Sequence, residues 1–323
     1  MPIPAEAWAL HDGPAEGAAA PGVRVRGARG SKVRFAAWGL GAARRRGEGT
    51  LALALHLHLA PVLLPLARKG ALLAAYLHGV EAWAPLRGLR AAALRRAGLL
   101  LSNSECTARR FREANPGFPD ARVCAPGIPP AVARPRPSGV EGPFALIVAR
   151  MDPGERYKGH ELLLDLWPRV RAKNPQARLV VAGEGGDRPR LEALARARGI
   201  GDAVVFTGSI DEGALEGLYA NCSFLVLPST GEGFGLVLLE AMRAGRPCIA
   251  ATGAAEEILV HGESGLVVDP ARPESVLAAV DRLLADPGGA RRMGAAGARR
   301  WAALFTEARF AGRLREALGL PGR

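Results

Sequence analysis

Phe224-Leu225-Val226-Leu227-Pro228 is a short apolar run closed by a proline, and Ser229-Thr230-Gly231-Glu232-Gly233-Phe234-Gly235 follows it directly. Leu236-Val237-Leu238-Leu239-Glu240 then opens a segment of helical periodicity reaching residue 244. A strand that runs through a glycine-rich turn into a helix is one βα unit of a parallel sheet, because an apolar run without polar alternation marks a strand covered on both faces. The same alternation extends outward on both sides. Apolar runs at 144–149, 179–182, 204–207, 248–251 and 266–268 are separated by helical segments at 159–173, 188–198 and 211–220. That order predicts a doubly wound α/β domain over 144–323, ending in helices.

Toward the N-terminus, residues 125–143 carry six prolines and no strand or helix pattern, which places a linker at 135–143. The preceding domain, 1–134, repeats the α/β pattern less regularly. Its expected strands are 7–10, 51–57, 72–78, 99–102 and 122–124, and its expected helices 31–46, 61–69, 84–97 and 104–114. Two Rossmann-like domains on a proline-rich hinge are expected to face each other across a cleft, with ligands outside the carboxyl ends of the strands.

With 323 residues, 49% hydrophobic and 23% charged, the chain is ordinary globular material rather than a disordered or fibrous one. Cys106, Cys124, Cys222 and Cys248 form no C-x-x-C pair, which argues against a zinc site or a disulfide framework and fits a reduced cytosol. No signal-peptide pattern opens the chain, and the run 51–67 is too short to span a bilayer and is broken by His56, His58, Pro61 and Pro65. A cytoplasmic protein is expected, with attachment at the inner face of the membrane as an option. The net charge of +12 lies wholly in residues 1–140, which hold 20 Lys and Arg against 8 Asp and Glu. Such asymmetry points the first domain at something anionic: a phospholipid surface, a phosphorylated acceptor or nucleic acid. Arginine-rich coding would give the same count, and no nucleic-acid-binding motif accompanies the charge, which ranks nucleic acid last.

The chemistry gathers at strand ends. Helix N-terminal amides with close backbone approach at Gly233 and Gly235 make a phosphate cradle without a cation. Glu240, about one and a half turns into that helix, can accept hydrogen bonds from a ribose diol, and Glu232 can reach what lies beyond the phosphates. Two solvated glutamates on a glycine-rich loop are the plain alternative. Arg150 ends the first strand of the second domain and Lys158-Gly159-His160 opens the next helix, so both cations can neutralise a leaving diphosphate. No D-x-D triplet offers a carboxylate pair for Mg²⁺, and no G-x-x-x-x-G-K motif marks a P-loop. His78, in Tyr76-Leu77-His78-Gly79, ends a strand of the first domain and is expected to point at the cleft. A satisfied structural histidine is the ordinary alternative, and His56 and His58 fit it better. Ser102-Asn103-Ser104 reads equally as a helix cap and as a ligand contact.

In this order the residues resemble the family 4 retaining glycosyltransferases of GT-B fold, over about residues 50–318. The family's glutamate pair eight positions apart matches Glu232 and Glu240, its arginine and Lys-Gly match Arg150, Lys158 and Gly159, and its cleft histidine matches His78. Ser102-Asn103 and Pro126-Gly127-Ile128 sit where the family has similar segments. The resemblance implies a C-terminal domain that binds a UDP-, GDP- or ADP-linked sugar as substrate, with no separate cofactor and no metal. It further implies an N-terminal domain that binds a glycan or lipid-linked acceptor. Arg150 and Lys158 would hold the diphosphate, Glu240 the ribose, and Glu232 with the Phe234 and Gly235 amides the sugar and phosphate. Gly183, Glu184, Thr207 and Gly208, by their strand-end positions, are expected base-side contacts, and His78 would touch the transferred sugar. Retention in the family is explained by front-face attack. The implied function is hexose transfer in cell-envelope or extracellular polysaccharide synthesis; the alternative is a nucleotide-sugar-binding partner subunit with little transferase activity. The segment 7–12 resembles the family's second strand, so a first strand and glycine-rich loop of about 30 to 50 residues are expected to be missing. Residues 31–46, with Val33, Phe35, Trp38 and Leu40 among Lys32, Arg34 and Arg44-Arg45-Arg46, read either as an interfacial helix or as one packed on the sheet.

Overall fold

The computed structural model of the protein describes residues 5–11, 23–131, 140 and 142–320. Asp12 and most of the linker expected at 135–143 lie outside them. The chain divides into two compact units, Met1–Ser102 with Arg110–Arg122, and Asn103–Arg109 with Val123–Arg323.

In the first unit β1 (Ala5–Ala9) pairs in parallel with β2 (Val23–Gly27). Helix α1 (Lys32–Arg45) follows, its N-terminus capped by the Ser31 hydroxyl, which accepts the Arg34 N–H at 3.2 Å. Then come β3 (Leu51–Ala54), α2 (Leu64–Ala67), β4 (Leu72–Leu77), α3 (Gly88–Arg95), β5 (Leu99–Ser102), α4 (Glu105–Ala114) and β6 (Ala121–Val123). The sheet order is β3-β4-β5-β6, with β3, β4 and β5 mutually parallel. Leu57, Leu73, Leu77, Leu94, Leu100 and Phe111 fill its core. Two expectations fail here. The strand expected at 51–57 stops at Ala54, because His56 turns the chain: its Nδ1 accepts the His58 N–H at 3.2 Å and starts a 3-10 turn, Leu57–Leu63, that contains Pro61. His56 and His58 therefore do not end a strand. Strand β2 was not expected, since Val-Arg-Val-Arg is a strongly charged alternation too short to stand out from a loop.

The second unit holds β7 (Phe144–Val148), α5 (His160–Lys173), β8 (Arg178–Ala182), α6 (Arg188–Ala197), β9 (Val204–Gly208), α7 (Glu212–Asn221), β10 (Phe224–Leu227), α8 (Leu236–Arg243), β11 (Cys248–Ala251), α9 (Ala255–Ile258) and β12 (Leu266–Val268), followed by α10 (Pro273–Ala285), α11 (Pro287–Leu304) and α12 (Glu307–Ala317). All strand pairs are parallel, in the order β12-β11-β10-β7-β8-β9. The chain works outward from β7 through β8 to β9, then crosses back to β10 beside β7. Leu146, Leu179, Phe224 and Leu225 are fully buried between helices that contribute Trp167 and Tyr219. Each such side chain contributes roughly 1.5–3 kcal/mol by leaving water, which is why these strands read as unbroken apolar runs.

Residues at the front of the proline-rich stretch belong to this unit. The Ile128 N–H donates to the Phe305 carbonyl at 2.9 Å and Glu307 N–H donates to the Ile128 carbonyl at 3.1 Å. Gly127 is bare of necessity, since a Cβ there would lie 2.2 Å from the Thr306 oxygen. Arg313 of α12 donates to the Ala125 carbonyl at 2.7 Å. Pro126-Gly127-Ile128 is thus a strap across the C-terminal helices.

Candidate active site

Because strand order reverses between β7 and β10, the loops leaving their carboxyl ends are not covered by one shared crossover, and they open side by side. The two loops are packed on each other. Gly159 has φ +86°, and a Cβ there would sit 2.6 Å from the Pro228 ring and 2.9 Å from its carbonyl oxygen. Thr230 N–H donates to the Tyr157 carbonyl at 3.0 Å, and a Cβ on Gly231 would lie 2.7 Å from the Tyr157 ring. These close approaches bring Lys158 Nζ to 2.9 Å from Glu232 Oε2, both side chains mostly buried. Arg150 stands on the same loop after β7 but is largely exposed, and its guanidinium pairs with Glu155. The structure therefore joins Lys158 to Glu232 and gives Arg150 a carboxylate of its own.

Downstream, Gly235 (φ +100°) is the N-cap of α8, and no side chain caps that helix. Its first amides remain available for an anion. Gly233 is buried, and its carbonyl accepts hydrogen bonds from Ser104 Oγ at 2.7 Å and Thr107 Oγ1 at 3.2 Å. Phe234 is anchored edge-on against Phe305, with ring centroids 6.2 Å apart. Ser229, buried at the base of the loop, has a hydroxyl with no hydrogen-bond partner among the described residues.

Glu240 Oε2 accepts the Tyr219 hydroxyl at 2.5 Å. Burial pushes the Glu240 carboxyl above the usual carboxylate range, and the tyrosine bond and Arg243 pull it partly back. Arg243 itself is buried against Glu216 of α7 and donates to the Pro129 carbonyl at 2.8 Å. At the ends of β8 and β9 the remaining predicted residues converge. Gly183 (φ +140°) leaves no room for a Cβ, which would meet the Ala149 oxygen at 2.2 Å, and its N–H donates to the Gly208 carbonyl at 3.3 Å. Thr207 Oγ1 donates to that same carbonyl at 3.1 Å. Glu184 Oε2 accepts the Ser209 N–H at 2.9 Å and an Arg188 N–H at 3.2 Å.

His78 lies in the first unit, immediately after β4. Its N–H donates to Glu81 Oε1 at 2.7 Å and its Nε2 lies 2.5 Å from the Leu55 carbonyl oxygen. Its ring sits 4.8 Å from Tyr76 and 6.1 Å from His56, which in turn stands 4.9 Å from His58. The three histidines read separately from sequence form one group. Burial, with help from the other two imidazoles, lowers the His56 pKa against the opposing pull of Glu81. Ser104 acts as a cap, accepting the Thr107 N–H at 3.0 Å, while Glu257 accepts the Glu105 and Cys106 N–H groups at 2.8 Å each. Sequence reasoning missed Tyr219, Glu155, Glu257 and Ser229. None of the four left a motif in the sequence that marks it. Among the described residues no cluster of His, Cys, Asp and Glu is arranged to hold a metal ion, and no helix is long and apolar enough to cross a membrane.

Residues 134–300 match the family model for glycosyl transferases group 1. An uncharacterised glycosyltransferase of Methanocaldococcus jannaschii is 39% identical over 132 residues, 41% of this chain and 34% of that protein. The GDP-mannose-dependent alpha-(1-6)-phosphatidylinositol monomannoside mannosyltransferase of Mycolicibacterium smegmatis is 32% identical over 262 residues, 74% of this chain and 68% of that protein. The chain thus spans about a third of the archaeal relative's length and two thirds of the mycobacterial one's. Among solved structures, Anabaena HepE in complex with UDP-glucose superposes with a TM-score of 0.76 at 21% identity, covering 92% of this chain and 85% of that one.

Proposed function

The chain belongs to the glycosyl transferases group 1 family, with the two-sheet α/β architecture of its GT-B structural neighbours, and we propose that it is a retaining glycosyltransferase. In this reading it moves a hexose from a nucleotide sugar to a glycan or lipid-linked acceptor in cell-envelope or extracellular polysaccharide synthesis. The observation that carries the proposal is the Lys158–Glu232 contact beside the uncapped start of α8, at the switch point of the sheet. A cation, free amides and a carboxylate within one loop pair suit a diphosphate joined to a polyhydroxylated group.

The donor diphosphate competes with Glu232 for Lys158 and with Glu155 for Arg150. Once Lys158 turns to the phosphate, Glu232 is free to accept hydroxyl groups of the hexose. The Phe234 and Gly235 amides take a phosphate oxygen, Glu240 the ribose, and Gly183, Glu184, Thr207 and Gly208 the base. His78 contacts the hexose. As the bond between the anomeric carbon and the phosphate oxygen breaks, its electron pair goes to the diphosphate, whose growing charge Arg150 and Lys158 neutralise. The acceptor oxygen attacks the same face, and its proton passes to the departing phosphate oxygen, so configuration is retained and no protein nucleophile is needed.

The acceptor side rests on α1. Phe35, Gly39 and Ala42 are buried, whereas Val33 and Leu40 are exposed on the opposite face with Arg44. An outward face of two apolar residues among cations suits an anionic membrane and a lipid-linked acceptor on its cytoplasmic side. The phosphatidylinositol monomannoside acceptor in the mycobacterial relative's name supports that class.

Thermal melts with UDP, GDP and ADP identify the donor base, because a ligand at 100 times its Kd adds about 2.7 kcal/mol of stability. Turnover of the matching sugar nucleotides follows, with and without EDTA. One base should shift the melt, and its sugar nucleotide should be consumed with EDTA present. No shift with any base and no turnover would reject the proposal; turnover lost to EDTA and restored by Mg²⁺ would reject its metal-independent form.

A further inference from the structure

Tyr219 is 1% exposed, set on α7 among apolar neighbours, and its hydroxyl is that residue's one polar side-chain atom. Among the described residues this hydroxyl makes a single hydrogen bond, to Glu240 Oε2 at 2.5 Å. Glu240 is only part-buried, and its Oε1 makes no hydrogen bond among the described residues. The nearby cation attracts Glu240 but makes no hydrogen bond to it, because the two terminal nitrogens of Arg243 go to Glu216 and to the Pro129 carbonyl. Rotation of the Glu240 carboxylate about its terminal bond is therefore set by the tyrosine.

A carboxylate pinned through one oxygen presents the other in a fixed direction. A ribose diol offers two vicinal hydroxyl donors that must meet acceptors at defined positions, so a freely turning carboxylate would recognise it poorly. We propose that Tyr219 is a positioning residue, which orients Glu240 toward the ribose diol and so makes the site select ribonucleotide over deoxyribonucleotide donors. The proposal rests on Glu240 being the ribose contact. A purely structural tyrosine would fill the same volume and have no effect on sugar selectivity.

The test is calorimetric titration of the nucleoside diphosphate that shifts the melt, and of its 2′-deoxy and 3′-deoxy forms, against the native protein, Tyr219→Phe, Glu240→Ala and Glu240→Gln. Native protein should prefer the ribonucleotide by tenfold or more, as expected where buried polar groups are left unpaired by the deoxy form. Glu240→Ala should abolish that preference. Tyr219→Phe, which keeps the ring, should reduce it about three- to tenfold and raise the donor KM by a similar factor, with kcat within about twofold. Full preference in Tyr219→Phe, with loss in Glu240→Ala, would overturn the positioning role alone. Retained preference in Glu240→Ala would remove the ribose assignment and the proposal with it. Should Tyr219→Phe not fold, Glu240→Gln decides: with the tyrosine holding the amide oxygen, the amide nitrogen faces the ribose and binding should fall as far as in Glu240→Ala. Native-like binding by Glu240→Gln would overturn the proposal.

Discussion

At Lys158 and Arg150 each cation already has a carboxylate, Glu232 for one and Glu155 for the other. In the proposed reading the donor diphosphate exchanges both pairs on binding, so each cation contributes little to ground-state affinity, because the gain at the phosphate is offset by the pair given up. Its effect is felt when charge on the diphosphate grows, so Arg150→Ala and Lys158→Ala should depress kcat more than they raise donor KM. Losses of about 2–4 kcal/mol each, some 30- to 1,000-fold, suit removal of one such partner. Steady-state kinetics checks this, and full turnover in the double variant would dismiss both residues from the chemistry. The positions at strand ends were legible in the sequence, since an apolar run that closes into a glycine-rich turn before a helix marks the carboxyl end of a parallel strand. Their pairing was not: Lys158 and Glu232 are 74 residues apart, and the contact depends on Gly159 and Gly231 letting two loops approach.

The first turn of α4 acts on the glycine-rich loop as an element. Ser104 and Thr107 both donate to the Gly233 carbonyl, and Glu257 of α9 caps the same turn. A trans peptide is planar, so fixing the Gly233 carbonyl fixes the Phe234 N–H in the opposite direction. Removing both hydroxyls would leave a buried carbonyl unpaired, at a cost of about 1–3 kcal/mol. The Ser104→Ala, Thr107→Ala protein should therefore melt several degrees lower and show a raised donor KM, with kcat less affected. Equal KM values for native and double variant would show that the hydroxyls stabilise the fold without aiming the amide. From sequence, Ser102-Asn103-Ser104 reads equally as a cap and as a ligand contact, and its bond to the Gly233 loop is not legible, because a carbonyl 129 residues away leaves no local trace. The strands of the second unit were read to within a residue or so, since burial on both faces makes them unbroken apolar runs. The first unit was harder: Leu57–Leu63 is as apolar as a strand, and only the turn begun by His56 with Pro61 inside makes it a 3-10 helix.

For the whole molecule, the informative quantity is where the charge sits. Residues 1–140 carry the entire net charge of +12 and the rest is neutral, so one half of the chain drives any attraction to anionic lipid. On α1 the sequence left two orientations open, and the structure divides the apolar residues between them: Phe35 packs against Trp8 and Trp38, while Val33 and Leu40 face outward. Arg46 is tied to Glu6 at 3.3 Å, which leaves Arg44 and Arg45 as the exposed cations at the end of the helix. Each basic residue near an anionic surface adds on the order of 1 kcal/mol, within a Debye length of about 8 Å at physiological salt. Reversing Arg44 and Arg45 to Glu should therefore cut co-sedimentation with phosphatidylserine or phosphatidylinositol vesicles by an order of magnitude or more. Leu40→Asp should weaken it further by removing the apolar contact. Binding of the native protein should also fall steadily as salt rises. Equal binding to phosphatidylcholine vesicles, or none to either kind, would exclude this face of α1 as a membrane contact and direct the acceptor search to soluble glycans.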